Sequence, residues 1–245
     1  MMKLYDSILR ELLAGLETYP VRRLNKEKGS CWKDAGREAM ILRSDMAYEL
    51  GKGTLPALGS TILTMDKELV PEDEILLYGE DLKEIRKDRP YARIAAVRMK
   101  QGSLGEGNEL YNEVRKTEYT RYRLFPEGFM MRVSVSQERE AVRVGRQALE
   151  KGLGFAQVGS MFLTAYHRNP KVEAVKLIFI TRKEFPWSEL GGYIRKAEQI
   201  TRAIDHVLKN LSMDCNACSL KQICDEVEGL KELHRAPSEN GTCIG

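Results

Sequence analysis

Residues 172–181 read Val-Glu-Ala-Val-Lys-Leu-Ile-Phe-Ile-Thr, and this stretch has the strongest strand pattern in the chain. It is rich in β-branched residues, which favour an extended backbone. Its apolar side chains are nearly continuous and would be costly to expose on either face of a sheet. The pattern predicts a central strand. A long helix predicted over residues 187–211, opened by Pro186, has an apolar face that we expect to cover this strand.

Strand and helix patterns alternate on both sides of this stretch. Further strands are predicted at residues 39–42, 60–65, 74–78, 91–99 and 129–135. Further helices are predicted at residues 4–19, 80–87, 109–123, 138–151 and 155–167, with a short one that Ser44 or Asp45 caps and Gly51 ends. This interleaving indicates an α/β or α+β fold, in which a mixed sheet is backed by helices and followed by a cysteine-rich C-terminal segment.

The boundaries of these patterns predict three parts. They are an N-terminal α/β half at residues 1–125, a C-terminal α/β half at 126–211, and a cysteine-rich segment with its tail at 212–245. Residues 102–107, Gly-Ser-Leu-Gly-Glu-Gly, form a predicted loop inside the first half. Their glycines lack the order of a nucleotide-binding fingerprint, so a loop or hairpin is the simpler interpretation.

The composition excludes several classes of partner. The chain has 39 basic and 36 acidic residues, a net charge of +3, and no run of basic residues, so it has no signature of nucleic-acid binding. No apolar window approaches the roughly 18 residues that a membrane span needs. Charged residues also interrupt the N-terminus where a signal peptide would be apolar. We therefore expect a cytoplasmic protein whose cysteines are reduced.

Four of the five cysteines lie close to the C-terminus, in the order Cys215, Cys218, Cys224 and Cys243. A Cys-x2-Cys turn brings two thiolates to one metal ion, and a third thiolate nearby completes the same face. The pattern predicts an iron–sulfur cluster or, alternatively, a zinc site, with Cys243 as a fourth ligand. The simpler alternative is a set of free, partly buried cysteines. Cys31 stands alone and is interpreted as a small core residue.

Several segments together resemble a known family. Residues 151–159 (KGLGFAQVG), 165–175 (AYHRNPKVEAV), 178–181 (IFIT) and 223–230 (ICDEVEGL) resemble the acetyl-CoA synthase β subunit, the partner of carbon monoxide dehydrogenase in the Wood–Ljungdahl pathway. Residues 32–34 and 40–42 also resemble it, more weakly, and the similarity extends over roughly residues 5–234. The resemblance implies protein partners of a carbon monoxide dehydrogenase/corrinoid system, and coenzyme A as a ligand.

The chain departs from this family at the metal site. Family synthases hold a nickel–nickel site joined to an iron–sulfur cluster through cysteines that include Cys-Gly-Cys, and this sequence has no Cys-Gly-Cys. No catalytic ligand can therefore be carried over. The resemblance implies a partner-binding or coenzyme-A-binding protein without the dinickel site. The alternatives are a small cysteine-ligated metalloprotein with an electron-transfer or structural role, and an enzyme with an Arg/Glu/His pocket.

Arginines offer a candidate coenzyme A site. Residues 125–128, Phe-Pro-Glu-Gly, precede the strand predicted at residues 129–135 and are bracketed by Arg121, Arg123 and Arg132. Arginine side chains bind phosphates in a forked geometry, which suits the phosphates of coenzyme A. Arginines beside a strand are more commonly simple surface charges. His167, predicted at the end of a helix, is interpreted as favourable to the helix dipole rather than catalytic.

Overall fold

The computed structural model describes residues 2–27, 32–105, 108–133 and 139–208. Its strands, in chain order, are β1 (Arg22–Leu24), β2 (Met46–Leu50), β3 (Ala57–Thr64), β4 (Glu74–Tyr78), β5 (Tyr91–Met99), β6 (Phe129–Val133), β7 (Glu140–Gly145) and β8 (Val172–Ile180). Its helices are α1 (Met2–Glu17), α2 (Asn108–Glu118), α3 (Arg146–Glu150), α4 (Phe155–His167) and α5 (Trp187–Leu208). A 3₁₀ helix (Tyr119–Arg123) directly follows α2.

The strands form two sheets. The larger has five strands in the order β1-β4-β8-β5-β3, with both parallel and antiparallel neighbours. The smaller is antiparallel and has the order β2-β7-β6. The predicted fold class, a mixed sheet backed by helices, is confirmed.

β8 lies in the middle of the larger sheet, as its sequence predicts. Ile178 and Phe179 point to opposite faces of the strand, and each has an exposed fraction of 0%. Ile178 packs in one apolar cluster with Ile194 and Ile200 of α5. Phe179 packs in the other cluster, where its ring centroid is 4.5 Å from that of Phe155 in α4. Both the central position of the strand and its cover by the long helix are confirmed.

Helices cover the two faces of the larger sheet. α1 and α5 lie on one face. The apolar residues of α1 recur every three or four positions and form a single stripe, which packs in one cluster with the apolar residues of α5 and of the sheet. A hydrogen bond of 2.8 Å between the hydroxyls of Tyr5 and Thr201 joins these two helices. α4 and the smaller sheet cover the opposite face. The sheet is thus buried on both sides, which explains why β5 is buried at every position instead of being half-buried.

The smaller sheet corrects two helix predictions. Residues 140–145, predicted within a helix at 138–151, form β7, and only Arg146–Glu150 is helical. Residues 46–50, also predicted as a helix, form β2, which pairs with β7. Val142 and Val144 are β-branched and fully buried, and β7 pairs on one side with β6, the preceding strand, and on the other with β2, which lies far away in the sequence. Pairing with these two strands overrides the local helical spacing of residues 140–145.

Two shorter predictions are also wrong. Residues 39–42 form no strand, and Met40 and Leu42 are exposed because no neighbouring strand pairs with them. Residues 80–87 form turns instead of a helix. The Asp81 carboxylate accepts hydrogen bonds from the backbone N–H groups of Leu82 and Phe155. Phe155 is the first residue of α4, so Asp81 stabilises the start of α4 and does not begin a helix at residues 80–87.

No helix within the described ranges is long and apolar enough to cross a membrane. The predicted metal ligands Cys215, Cys218, Cys224 and Cys243 lie outside the described residues, as does Cys31.

Candidate functional site

A salt bridge between Arg93 and Glu140 lies in the interior, where both side chains are completely buried. Arg93 belongs to β5 and Glu140 begins β7, so the pair joins the two sheets. Arg93 Nε donates to Glu140 Oε1 and Arg93 Nη2 donates to Oε2, each at 2.7 Å, which is a bidentate geometry. The Phe162 ring of α4 packs against the guanidinium, with its centroid 5.0 Å from Cζ.

Arg121, in the 3₁₀ helix, is the third member of this buried network. Its Nη1 lies 3.6 Å from Glu140 Oε2 and donates a hydrogen bond of 3.1 Å to the carbonyl oxygen of Gly59 in β3. Gly59 leaves the space that Glu140 occupies, since a Cβ at that position would lie 2.4 Å from Glu140 Oε2. The network therefore depends on the absence of a side chain at residue 59.

The charges of this network are not balanced by Glu140 alone. Burial lowers the pKa of the Arg93 guanidinium, but the adjacent Glu140 carboxylate outweighs burial and raises that pKa overall. Arg93 is therefore always charged. Two buried arginines face one buried glutamate, so further negative charge near Arg121 is favourable.

Glu118 supplies that charge beside a small polar cavity. The cavity has a volume of about 20 Å³ and lies between β3, the end of α2 and the middle of α5; it is lined by Gly59, Ser60, Thr61, Glu118, Arg121, Ile194, Ala197, Glu198 and Thr201. Burial raises the pKa of Glu118, which Arg115 and Arg121 only partly offset. The volume admits one water molecule and no organic substrate. The network and its cavity therefore position structural elements and do not form a substrate pocket.

The three arginines predicted to bind coenzyme A face different surroundings. Arg121 is buried in the network described above. Arg132, in β6, forms a salt bridge with Glu49 of β2. Arg123 is exposed and lines a surface pocket. The structure does not gather them around one cavity, and their role in coenzyme A binding stays a prediction.

The surface pocket at Arg123, which we call the basic pocket, has a volume of about 180 Å³ and is lined by Lys116, Thr117, Thr120, Arg123, Ala165, Tyr166, Arg168 and Asn169. It lies where α2 and the 3₁₀ helix meet the C-terminal end of α4. Three of its side chains are cationic, and none of the described residues that line it is acidic.

His167 lies in the last turn of α4, as predicted, and its Nε2 is 2.9 Å from Asp73 Oδ1. The pair is partly exposed, and the Asp73 carboxylate is also bound by Lys26 and by the backbone N–H of Val175, which is a structural arrangement at the end of α4. Within the described ranges, no group of three or more His, Cys, Asp or Glu side chains is placed to hold a metal ion.

Sequence reasoning missed Arg93 and Glu140. Arg93 interrupts the run Tyr-Ala-Arg-Ile-Ala-Ala-Val at residues 91–97, and a lone charge inside such an apolar strand indicates a buried partner. That signal could have identified Arg93. Glu140 carried no comparable signal, because it was interpreted as part of an amphipathic helix and its partner lies 47 residues away.

Comparison with known families yields a match over residues 36–185, to the CO dehydrogenase/acetyl-CoA synthase complex beta subunit. No curated protein matches the chain. The matched range extends from before β2 to beyond β8, and it includes the buried network of Arg93, Arg121 and Glu140. It covers more than half of the 245 residues. The resemblance seen in the sequence is thus confirmed, and the chain belongs to the family of the CO dehydrogenase/acetyl-CoA synthase complex beta subunit.

Proposed function

We propose that this chain acts within a CO dehydrogenase/acetyl-CoA synthase system as a partner-binding or coenzyme-A-binding protein that does not itself hold the dinickel site. One observation carries the proposal. The family match over residues 36–185 contains none of the five cysteines, which are Cys31, Cys215, Cys218, Cys224 and Cys243. The region shared with the family therefore supplies a folded body without thiolates.

The chemistry of the available side chains supports the same proposal. In the synthases that this chain resembles, the dinickel site is held by cysteine thiolates, which are soft metal ligands. The matched region offers a buried arginine–glutamate network instead, and arginine cannot act as a metal ligand while it is charged. Because residues 36–185 contain no cysteine, they do not fit the dinickel group.

Assembly with partner subunits tests the proposal directly. The chain would be co-expressed with the carbon monoxide dehydrogenase and corrinoid-protein subunits encoded by the same organism, and analysed by size-exclusion chromatography with light scattering. We expect co-elution in a defined stoichiometry, or binding of coenzyme A by calorimetry. The absence of both assembly and coenzyme A binding would overturn the proposed function.

Activity of the isolated chain provides a second test. The purified protein, incubated with nickel, carbon monoxide, a methyl donor and coenzyme A, should form no acetyl-CoA. Forming the new carbon–carbon bond requires a metal that holds methyl and carbonyl groups together. Nickel-dependent turnover by the chain alone would contradict the claim that it lacks the catalytic site.

The cysteine spacing favours a second candidate, a small iron–sulfur or zinc protein with an electron-transfer or structural role. Cys215, Cys218 and Cys224 have the spacing Cys-x2-Cys-x5-Cys, which is compatible with either metal. A brown sample that absorbs at about 400 nm and contains about four iron atoms per chain would favour the cluster. Bound zinc in a colourless sample would favour a structural site.

A further inference from the structure

Two exposed tyrosines stand beside the basic pocket. Both belong to the 3₁₀ helix, and Tyr119 and Tyr122 have exposed fractions of 45% and 37%, whereas the other aromatic residues in the described part of the chain are buried or partly buried. Their ring centroids are 5.4 Å apart. Tyr119 and Tyr122 share one side of this helix, and Thr120 and Arg123 on the adjacent side line the basic pocket, so the tyrosines and the pocket are neighbouring parts of one surface region around the helix. We call it the tyrosine–arginine surface.

The structure holds this surface in place. The Arg121 guanidinium lies 4.8 Å from the ring centroid of Tyr122, and the Arg115 guanidinium lies 5.1 Å from that of Tyr119. Arg121 is itself fixed by Glu140 and by the carbonyl of Gly59. Rings that are already ordered lose little conformational entropy when a partner covers them. Exposed, rigid tyrosines next to arginines are typical of the residues that dominate the energy of protein interfaces.

The charges of the surface are largely unmatched. Within the described part of the chain, Arg123 and Arg168 have no ion-pair or side-chain hydrogen-bond partner. Lys116 has only a long contact of 3.9 Å with Glu113, which lies 3.1 Å from Lys171 and is therefore already neutralised. Three cations thus converge on one concave surface with their charge available to a ligand.

We propose that the tyrosine–arginine surface docks an acidic segment of a protein partner, whose carboxylates enter the basic pocket while its apolar side chains cover Tyr119 and Tyr122. This inference rests on the proposed function in so far as that function requires a protein partner. Arginine forks bind carboxylates in a bidentate manner. Arginine forks bind phosphates in the same manner, but the exposed rings of Tyr119 and Tyr122 favour a protein segment, whose apolar side chains can cover them, over a free phosphate ligand.

A peptide titration tests the chemistry of the surface. The probe is a fluorescein-labelled peptide of glutamate and leucine, compared with the same peptide carrying glutamine for glutamate, and binding is followed by fluorescence anisotropy. The acidic peptide should bind, more weakly as salt rises, and the glutamine peptide should bind at least about tenfold more weakly. Equal binding of the two peptides would overturn the proposal.

Charge-reversed variants locate the binding. The double variant Arg123→Glu/Arg168→Glu should bind the acidic peptide at least about tenfold more weakly than the unmodified chain. The matched control Arg43→Glu/Lys87→Glu removes the same charge at exposed positions elsewhere and should bind within about twofold of it. Equal losses in both variants would contradict a localised site. Displacement of the peptide by micromolar sodium pyrophosphate would identify a phosphate site and also overturn the proposal.

Assembly separates this inference from the proposed function. In the co-expression experiment described above, the Arg123→Glu/Arg168→Glu variant should lose co-elution with the partner subunits while the Arg43→Glu/Lys87→Glu control keeps it. If both variants assemble as well as the unmodified chain, the docking surface is wrong and the proposed function stands. If the unmodified chain neither assembles nor binds coenzyme A, the proposed function itself fails.

Discussion

Three charged side chains in the interior, Arg93, Arg121 and Glu140, connect elements that are far apart in the sequence. Arg93 comes from the larger sheet, Glu140 from the smaller one and Arg121 from the 3₁₀ helix. A buried ion pair adds little net stability relative to an apolar core, but losing one partner leaves a buried charge uncompensated. The network therefore makes the relative placement of these elements sensitive to a single residue.

Replacing Glu140 with Gln should lower the free energy of unfolding by about 3–5 kcal/mol, because the buried Arg93 guanidinium loses the carboxylate that pairs with it. Urea denaturation at pH 7 measures the change. Glu68→Gln is a control, since Glu68 is exposed and its carboxylate forms no ion pair within the described residues, so the change should cost no more than about 0.5 kcal/mol. A loss for Glu140→Gln no larger than that for the control would contradict the importance of the network.

Replacing Gly59 with Ala should destabilise the protein by about 1–3 kcal/mol, because the new Cβ would lie 2.4 Å from Glu140 Oε2 and 2.7 Å from Glu140 Cβ. Gly15→Ala is a matched control. Gly15 is exposed in α1 and has space for a Cβ, so this change should be neutral or stabilise the helix by up to about 1 kcal/mol. Thermal unfolding of both variants provides the comparison, and equal effects would be evidence against close packing at residue 59.

At the scale of elements, Asp73 joins the end of α4 to the central strand. Its carboxylate accepts hydrogen bonds from the backbone N–H of Val175 in β8 at 2.9 Å and from Lys26 at 3.0 Å, and it contacts His167 Nε2. Burial raises the pKa of Asp73, but these hydrogen bonds outweigh burial and lower the pKa below 3.8 overall. The ionised carboxylate therefore stabilises the fold.

Replacing Asp73 with Asn should reduce stability at pH 7 by about 1–3 kcal/mol. Because the pKa of Asp73 is lower in the folded state, its contribution is fully present above the unfolded value and is lost as the pH falls through the folded value. The difference between Asp73→Asn and the unmodified protein should therefore shrink as the pH falls below 3.8. Urea denaturation across this range measures it. The exposed control Glu68→Gln should show little difference at any pH, and a constant gap for Asp73→Asn would contradict the linkage.

At the scale of the whole molecule, the five-stranded sheet takes strands from both predicted halves of the chain. β8, from the second half, lies between β4 and β5, from the first. The cysteine-rich segment, for which we propose a metal site, follows these residues in the sequence. If Cys215, Cys218 and Cys224 share one ion, their sulfurs must converge to within about 4 Å, given metal–sulfur bonds of about 2.3 Å.

Replacing Cys218 with Ser should release the metal and make residues 215–245 more sensitive to protease, while the body of sheets and helices stays folded on its own core. Metal analysis and limited proteolysis measure the two effects. Cys31→Ser is the control, since its thiol is not part of the predicted ligand set. Unchanged metal content and protease resistance in Cys218→Ser would show that these thiols are packing residues.

Local sequence patterns were sufficient to predict those elements whose burial follows from their own apolar residues. Residues 172–181 form the central strand because their apolar run must be covered on both faces, whichever elements supply the cover. The stripes of α1, α4 and α5 likewise depend on spacing within one helix. The family resemblance could also be recognised from the sequence, and it holds over residues 36–185.

Only the tertiary structure decided what depends on distant partners. β2 and β7 became strands because they pair with each other, which outweighs the helical spacing within each segment. The buried Arg93–Glu140 pair required two sheets to meet, and the tyrosine–arginine surface required the 3₁₀ helix to lie against the end of α4. The sequence shows each charged residue and the hydrophobic periodicity of each segment, but it does not show which of them meet in the folded protein. The free energy that selects among them comes from contacts between residues that are remote along the chain.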